Sequence, residues 1–385
     1  MSGEPAVPAT SGVPTVFLGS GGFAIPILDA LASSGDVRIV GVVTGPPRPA
    51  GRGERTRRTP VAQRAEVLGI SPVLEPLRLR SEQAVADVLA LAPALLVLAD
   101  YGQIVPGELL DGPRHGALNL HPSLLPRHRG ASPIPAAILA GDRQTGVTLM
   151  RMEEGLDTGP VVAQVAVPLD GTETAPQLEA LLAAEAAELL RATISEWVAG
   201  RRQARPQSPE GATLTRPLRR EQGRLDPERD ATTLERQVRA YQPWPGTWCE
   251  TVAGRLIVWA ARPLVVGPEE QTPLAGGENG PVPGQEHGPV VGGETAPVAG
   301  GDGGPVAGRE RDPLAATASR PGAPVPPGSL GRLVPDGDGL AVLVADGVLR
   351  LDEVQLAGGR RMSSAALRRG HPELSGSRVG GPALP

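Results

Sequence analysis

Proline returns at every eighth position over one long stretch of this chain, at 273, 281, 289, 297, 305, 313 and 321. An acid stands three residues before each of the first six, at Glu270, Glu278, Glu286, Glu294, Asp302 and Glu310, and Leu or Val follows each of those prolines. The unit is ExxPVxG. One small apolar side chain per octad cannot bury enough surface to offset the ordering of its backbone, and a proline in every unit removes a ladder donor from any stack of strands. Residues 267–328 are therefore expected to be a disordered, low-complexity insertion, with the folded parts of the 385-residue chain on either side of it.

The same window holds eight acids against three arginines, which is the whole formal charge of -5, so the remainder of the chain is neutral. Lysine is absent, and all 37 basic side chains are Arg, which excludes a Schiff-base or P-loop lysine. The single cysteine, Cys249, excludes an intrachain disulfide framework or thiolate cluster and fits a reducing compartment. Residues 1–12 have neither a basic start nor an apolar run and read as a flexible N-terminus. The longest apolar stretch, Val88 to Ala99, is interrupted by Pro93 and is too short for a bilayer. These features predict a cytoplasmic protein with no membrane partner. Arginine is nevertheless concentrated: five between 48 and 58 against Glu54, and ten between 201 and 239 against six acids. Such clusters suit an RNA backbone, and equally an ordinary solvated surface.

Residues 14 to 200 alternate short apolar runs (PTVFLG, VRIVGVV, ALLVLA, GALNL, TGVTLMRM) with helix-length amphipathic segments. Continuous apolar strands separated by helices predict an α/β domain, a parallel sheet covered on both faces, over residues 13–200, closed by a helix from Glu179 to Val198. Residues 201–215 are polar and contain proline, and read as an interdomain linker. A helix at 232–240 and apolar runs at 252–266 and 340–357 predict a small β domain within 216–385, interrupted by the octads.

Three motifs stand at predicted strand ends. Gly19-Ser20-Gly21-Gly22-Phe23-Ala24 satisfies a loose dinucleotide fingerprint, but the next strand ends in VVTGPP, without the acid that would hold a ribose, so a tight strand-to-helix turn is the better reading. In GALNLHPSLLPRHRG, Asn119 and His121 are two apart and face one side of a strand, at the end where α/β sheets place ligands. In GLDTG, Asp157 lies between glycines, which allows close approach to a ligand or side chain. An amide, an imidazole and a carboxylate, without a nucleophilic Ser or Cys, suit direct acyl transfer to an amine: Asn and His donate to an oxyanion while Asp fixes the imidazole and receives a proton. His115, His121 and His128 form no i, i+4 pair, and no metal is expected.

NLHPSLLPRHRGASPI together with GLDTG resembles the folate-dependent formyltransferase family. TGPPRPAGRG (44–53) resembles a loop that enters a tRNA acceptor stem in the tRNA-acting branch of that family, VLADYGQIVP (97–106) a folate-pocket segment, and VRAYQPWPGTW (238–248) with LRLDEVQLAGGRRMS (349–363) the C-terminal domain. The resemblance implies a Rossmann-like domain followed by an OB-like β-barrel, acting as a monomer that moves a formyl group from 10-formyltetrahydrofolate to the α-amine of methionyl initiator tRNA. It implies that Asn119 and His121 polarise the formyl oxygen and that Asp157 holds His121 and helps remove the amine proton. Ser123, Leu124, Leu125 and Pro126, with Tyr101 and Gly102, would shape the folate site. Arg52, supported by Arg48, Arg55, Arg57 and Arg58, would contact the acceptor end, and Arg216, Arg219 and Arg220 replace the lysines usual at the start of the second domain. His128, where the family often has an aromatic, and Glu54, where it tends to be basic, depart from the pattern.

Overall fold

The computed structural model of the protein describes residues 12–49, 56–264 and 328–380. The octads, Arg52, Glu54 and Arg55 lie outside the described residues, as does nearly all of the expected flexible N-terminus.

The first domain runs β1 (Val13–Gly19), α1 (Ala24–Ala32), β2 (Val37–Val43), β3 (Arg48–Pro49), β4 (Thr56–Arg57), α2 (Pro60–Val67), β5 (Val73–Leu74), α3 (Glu82–Ala90), β6 (Leu95–Ala99), α4 (Gly107–Asp111), β7 (Ala117–His121), β8 (Arg129–Gly130), α5 (Pro133–Ala140), β9 (Gln144–Arg151), β10 (Val161–Pro168) and α6 (Ala175–Val198). Seven strands form one sheet in the order β10-β9-β7-β6-β1-β2-β5. The period-two alternation of the buried strands sorts their side chains to two cores. Phe17, Leu95, Val97, Leu118 and Leu120 pack with α1 and α6 on one face, through Ile27, Leu28, Leu178, Leu182 and Leu190. Val16, Leu18, Leu96 and Leu98 pack on the other with Val88 and Leu109. Each of these large side chains stabilises the fold by roughly 1.5–3 kcal/mol when fully buried.

The sheet is mixed where the strand pattern led us to expect a parallel one. β7, β6, β1, β2 and β5 are parallel, whereas β9 runs antiparallel to both β7 and β10. Residues 122–143 return the chain to the C-terminal end of β7 rather than crossing over to its start, and that reversal fixes the direction of β9.

Residues 201–215, expected as a linker, are ordered along the first domain. Arg205 and Val161 exchange both backbone hydrogen bonds, at 2.8 and 2.7 Å, and β11 (Leu214–Thr215) pairs in parallel with β8. The second domain contains α7 (Ala231–Ala240), β12 (Thr247–Thr251), β13 (Gly254–Leu264), β14 (Leu333–Asp336), β15 (Gly339–Val344), β16 (Gly347–Leu356), β17 (Met362–Ser363) and α8 (Ser364–Gly370). Its antiparallel strands are ordered β12-β13-β16-β15-β14, with β17 on β16, around Leu234, Val238, Leu256, Leu340, Val342 and Leu351. This is the expected β-rich domain; among the described residues no ladder joins β14 to β12. The domains touch through α7: Tyr241 belongs to the first domain's core, and Arg239 donates to the Glu173 carbonyl at 2.9 Å.

Candidate active site

The parallel register sets the site. Leu98 on β6 is level with Asn119 on β7, and Gly19 on β1 is level with Ala99. Ser20, Asp100 and His121 therefore stand side by side at the C-terminal ends of three adjacent strands, where the connections from β1 and β6 leave in opposite directions and open a crevice. Gly21 has a specific reason to be glycine: a Cβ there would overlap the Asp100 carboxylate. The GSGG turn is thus shaped by close packing with β6, in accord with the tight-turn reading.

His121 is buried, 5% exposed, and its Nε2 lies 2.9 Å from the His128 carbonyl oxygen. A carbonyl only accepts, so Nε2 carries the proton. Burial lowers the pKa of His121, opposed by the nearby Asp157 carboxylate and by the bond to His128, so the resting ring is neutral and its Nδ1 is unprotonated. Nδ1 is 3.6 Å from Asp157 Oδ2. That carboxylate makes its short hydrogen bond elsewhere, accepting from the Gly130 amide at 2.7 Å. The three residues singled out by motif are thus brought to one place, but the ring is fixed by a backbone carbonyl rather than by Asp157. The Asn119 side chain is half-buried and makes no hydrogen bond among the described residues, which leaves its amide available to a ligand.

Asp157 sits in left-handed backbone, φ 54, a conformation uncommon outside glycine. Its loop is held from the connector: Gln207 donates to the Asp157 and Gly159 carbonyl oxygens, and Gln207 Oε1 accepts from Arg129. Nothing in the composition of 201–215 marks Gln207 for this role, because the contact depends on a chain path that local sequence does not encode.

The Ser123–Pro126 loop is braced from beneath. Thr148 on β9 donates to the Ser123 carbonyl at 2.7 Å and accepts from the Leu125 amide at 3.0 Å, while Gln164 on β10 donates to the Leu125 carbonyl at 2.9 Å. Ser123 and Leu125 are buried supports, and Leu124 and Pro126 are half-exposed. Tyr101 does not line the crevice as expected. Its ring packs in the core beneath the opposite face with Val16, Leu18 and Leu98, because it follows Asp100 by one residue and turns the other way. Gly102 is exposed beside it.

Asp100 was absent from the sequence-based candidates. Its carboxyl pKa is pushed up to about 6, first by the protein atoms crowding it and then by the negative charge of Glu179, against a bond from the Gly21 amide. Part of the residue stays open to solvent, so crowding, rather than complete enclosure, is the cause.

The basic residues separate into two groups. Arg48 and Arg57 face each other across the β3–β4 hairpin, exposed and without an ion pair among the described residues. Arg58 instead donates to Glu75 at 3.0 Å and lies 3.7 Å from Glu66, so its charge is already committed within the fold. Arg216, Arg219 and Arg220 are found at the start of the second domain, all three exposed.

An amide, a neutral imidazole and a carboxylate gathered at a strand-end crevice make a candidate active site, and comparison with known proteins shows the family. Residues 14–194 match the formyl transferase family and residues 217–293 its C-terminal domain. The chain is 48% identical over 256 residues to the methionyl-tRNA formyltransferase of Halorhodospira halophila, covering 66% of this chain and 82% of that protein. It is 37% identical over 366 residues to that of Roseiflexus castenholzii, covering 95% and 98%. HypX from Aquifex aeolicus in complex with tetrahydrofolic acid superposes with a TM-score of 0.50 at 16% identity, over 94% of this chain and 48% of that one, a likeness of fold. The chain belongs to the formyltransferase family, in the branch of the methionyl-tRNA formyltransferases. None of the described helices is long and apolar enough to cross a membrane.

Proposed function

We propose that the protein transfers the formyl group of 10-formyltetrahydrofolate to the α-amino group of methionyl initiator tRNA. The observation that carries the chemistry is the Asn119 amide, unpartnered among the described residues, beside a neutral His121 whose only unprotonated nitrogen faces Asp157. The acceptor arrives as an ammonium. Its proton passes to the pair formed by the His121 ring, at Nδ1, and Asp157, and the carboxylate stabilises the imidazolium that forms. The free amine attacks the formyl carbon, and the oxygen's developing charge is met by the Asn119 amide and by Nδ1–H. The amine nitrogen's second proton passes to the folate N10, the C–N10 bond breaks to release tetrahydrofolate, and the first proton returns from the His121–Asp157 pair to solvent. The donor supplies the one-carbon unit; the braced Ser123–Pro126 loop, with Leu124 and Pro126 at its surface, would hold and orient the folate.

The acceptor reading rests on the relatives' names, the exposed Arg48 and Arg57, and Arg216, Arg219 and Arg220 on the second domain. Arg52 and Arg55 belong to the same proposed surface by their place in the sequence. The test is formylation of initiator Met-tRNA against a sugar amine with one folate donor. Preference for the sugar amine would overturn the acceptor. Asp157→Asn should lower kcat by about 100-fold or more while tRNA still binds, the scale of losing an electrostatic partner in the transition state; near-normal turnover would overturn the mechanism.

A further inference from the structure

The side chain of one buried residue beside the site takes no part in the chemistry above. His128, at the position where the family resemblance leads one to expect an aromatic, supplies the carbonyl that holds His121 Nε2 at 2.9 Å. It does so from left-handed backbone, φ 57, which a residue with a side chain adopts only when its surroundings hold it there. Two bonds do the holding. The His128 amide donates to Thr213 Oγ1 at 2.8 Å, and the nearly buried ring donates from its own Nε2 to Asp142 Oδ2 at 2.7 Å. Asp142 is in turn anchored, its Oδ1 accepting from Arg127 at 2.6 Å.

The direction of that carbonyl matters because the His121 ring is contested. A neutral imidazole carries one proton on either nitrogen. The carboxylate of Asp157 attracts it to Nδ1, and the carbonyl of His128 attracts it to Nε2. Satisfying both would require the imidazolium, which burial disfavours. If the carbonyl swung away, the resting proton would move to Nδ1, and the nitrogen beside Asp157 could no longer accept one from the acceptor amine.

We infer that His128 is a positioning residue for the proposed transfer: its hydrogen bond to Asp142 holds the left-handed backbone whose carbonyl keeps His121 protonated on Nε2 and basic on Nδ1. The inference rests on the reading of His121 as the group that accepts the amine proton.

The test compares His128→Phe, which fills the space without a bond to Asp142, with His128→Gln, whose amide can still donate to it. Two readouts apply: steady-state formylation, and the 15N shifts of histidine-labelled full-length protein, with the His121 signals assigned by their loss in His121→Gln. His128→Phe should lower kcat by about 10-fold or more, a part of the roughly 10²–10⁴-fold that a general acid–base group contributes, with KM for donor and acceptor within about twofold. It should also move the His121 ring from the Nε2–H to the Nδ1–H tautomer, and His128→Gln should restore most of kcat and the original tautomer. Full activity and an unchanged tautomer in His128→Phe would overturn the inference, as would equal losses in both variants. The spectrum is recorded without any acceptor, so a wrong acceptor assignment would fail in the formylation assay and leave the tautomer result standing.

Discussion

Gln207, on the connector between the two domains, donates a hydrogen bond of 2.8 Å to the carbonyl oxygen of Asp157, the carboxylate that faces His121. The same amide reaches Gly159 at 2.7 Å, and its oxygen accepts from Arg129, so one side chain ties the Asp157 turn to the loop that carries His128. Replacement by Ala would leave two carbonyl oxygens and a guanidinium short of a partner. The expected cost is about 1–3 kcal/mol, a fall in Tm of roughly 2–10 °C for a protein of this size. Because the Asp157 backbone is held in left-handed geometry, kcat should fall by about 10-fold or more with little change in KM. Calorimetry and steady-state formylation check both expectations, and Gln207→Glu, which sets an acceptor against two carbonyls, should be worse than Gln207→Ala.

Asp100 gives the protein a pH signature. Its carboxyl pKa in the folded state is about 6, above the ordinary 3.8. Between those values the folded protein binds a proton that the unfolded chain does not, so the favourable contribution is complete below about 3.8 and disappears as pH rises through about 6. At pH 7.5 the folded protein therefore carries a crowded charge near Glu179, only partly offset by the bond from the Gly21 amide. Asp100→Asn should raise Tm at pH 7.5, and the gain should shrink to nothing near pH 4. Melting curves at the two pH values measure this directly, and asparagine tolerates the φ of 47° at this position.

The arginines of the 48–58 segment should not behave alike. Arg57→Ala removes an exposed charge without a partner among the described residues, so it should raise KM for charged tRNA and flatten the dependence of log K on log salt by about 1, with an unchanged Tm. Arg58→Ala instead breaks the bond to Glu75, and its main effect should be on stability. Filter binding across a salt series, paired with thermal melts, separates the two outcomes.

Deleting 268–326 should leave Tm and formylation nearly unchanged. Leu264 is level with Val348, which is level with Leu343, and Gly331 donates to the Leu343 carbonyl at 2.8 Å. The segment thus leaves and re-enters one end of a sheet whose strands are already paired, and the entropy of closing a loop depends only weakly on its length. Parallel expression of both forms, with melts and kinetics, tests it.

What the sequence made legible follows from how local each signal is. The strand at 95–99 and the helix at 24–32 are marked by unbroken apolar character and by helical spacing and form where expected, while the helix expected from Glu179 to Val198 starts a turn earlier, at Ala175. Asn119, His121 and Asp157 could be named because parity along a strand and flanking glycines are short-range properties. The direction of β9 could not be read, since a strand pattern does not say which neighbour it meets. The side of the sheet to which Tyr101 turns depends on where β6 ends, within a residue. His128 read as a departure from a family pattern, and only the fold shows that its carbonyl, rather than Asp157, fixes the His121 ring.

The path of residues 205–215 has a consequence for how activity arises during synthesis. Arg205 pairs with Val161, Gln207 braces the Asp157 turn, Thr213 caps the His128 amide, and Thr215 meets Arg129 and Ser132. A nascent chain that has emerged from the ribosome only as far as residue 200 already carries Asn119, His121 and Asp157, with His128 bound to Asp142 and the Asp157 carboxylate to Gly130, but it lacks the bonds from Gln207 to the Asp157 turn and from Thr213 to the His128 amide. The last supports of the candidate site come from the stretch that leads into the second domain, so a product broken before residue 205 is expected to hold that site less firmly than the full-length one.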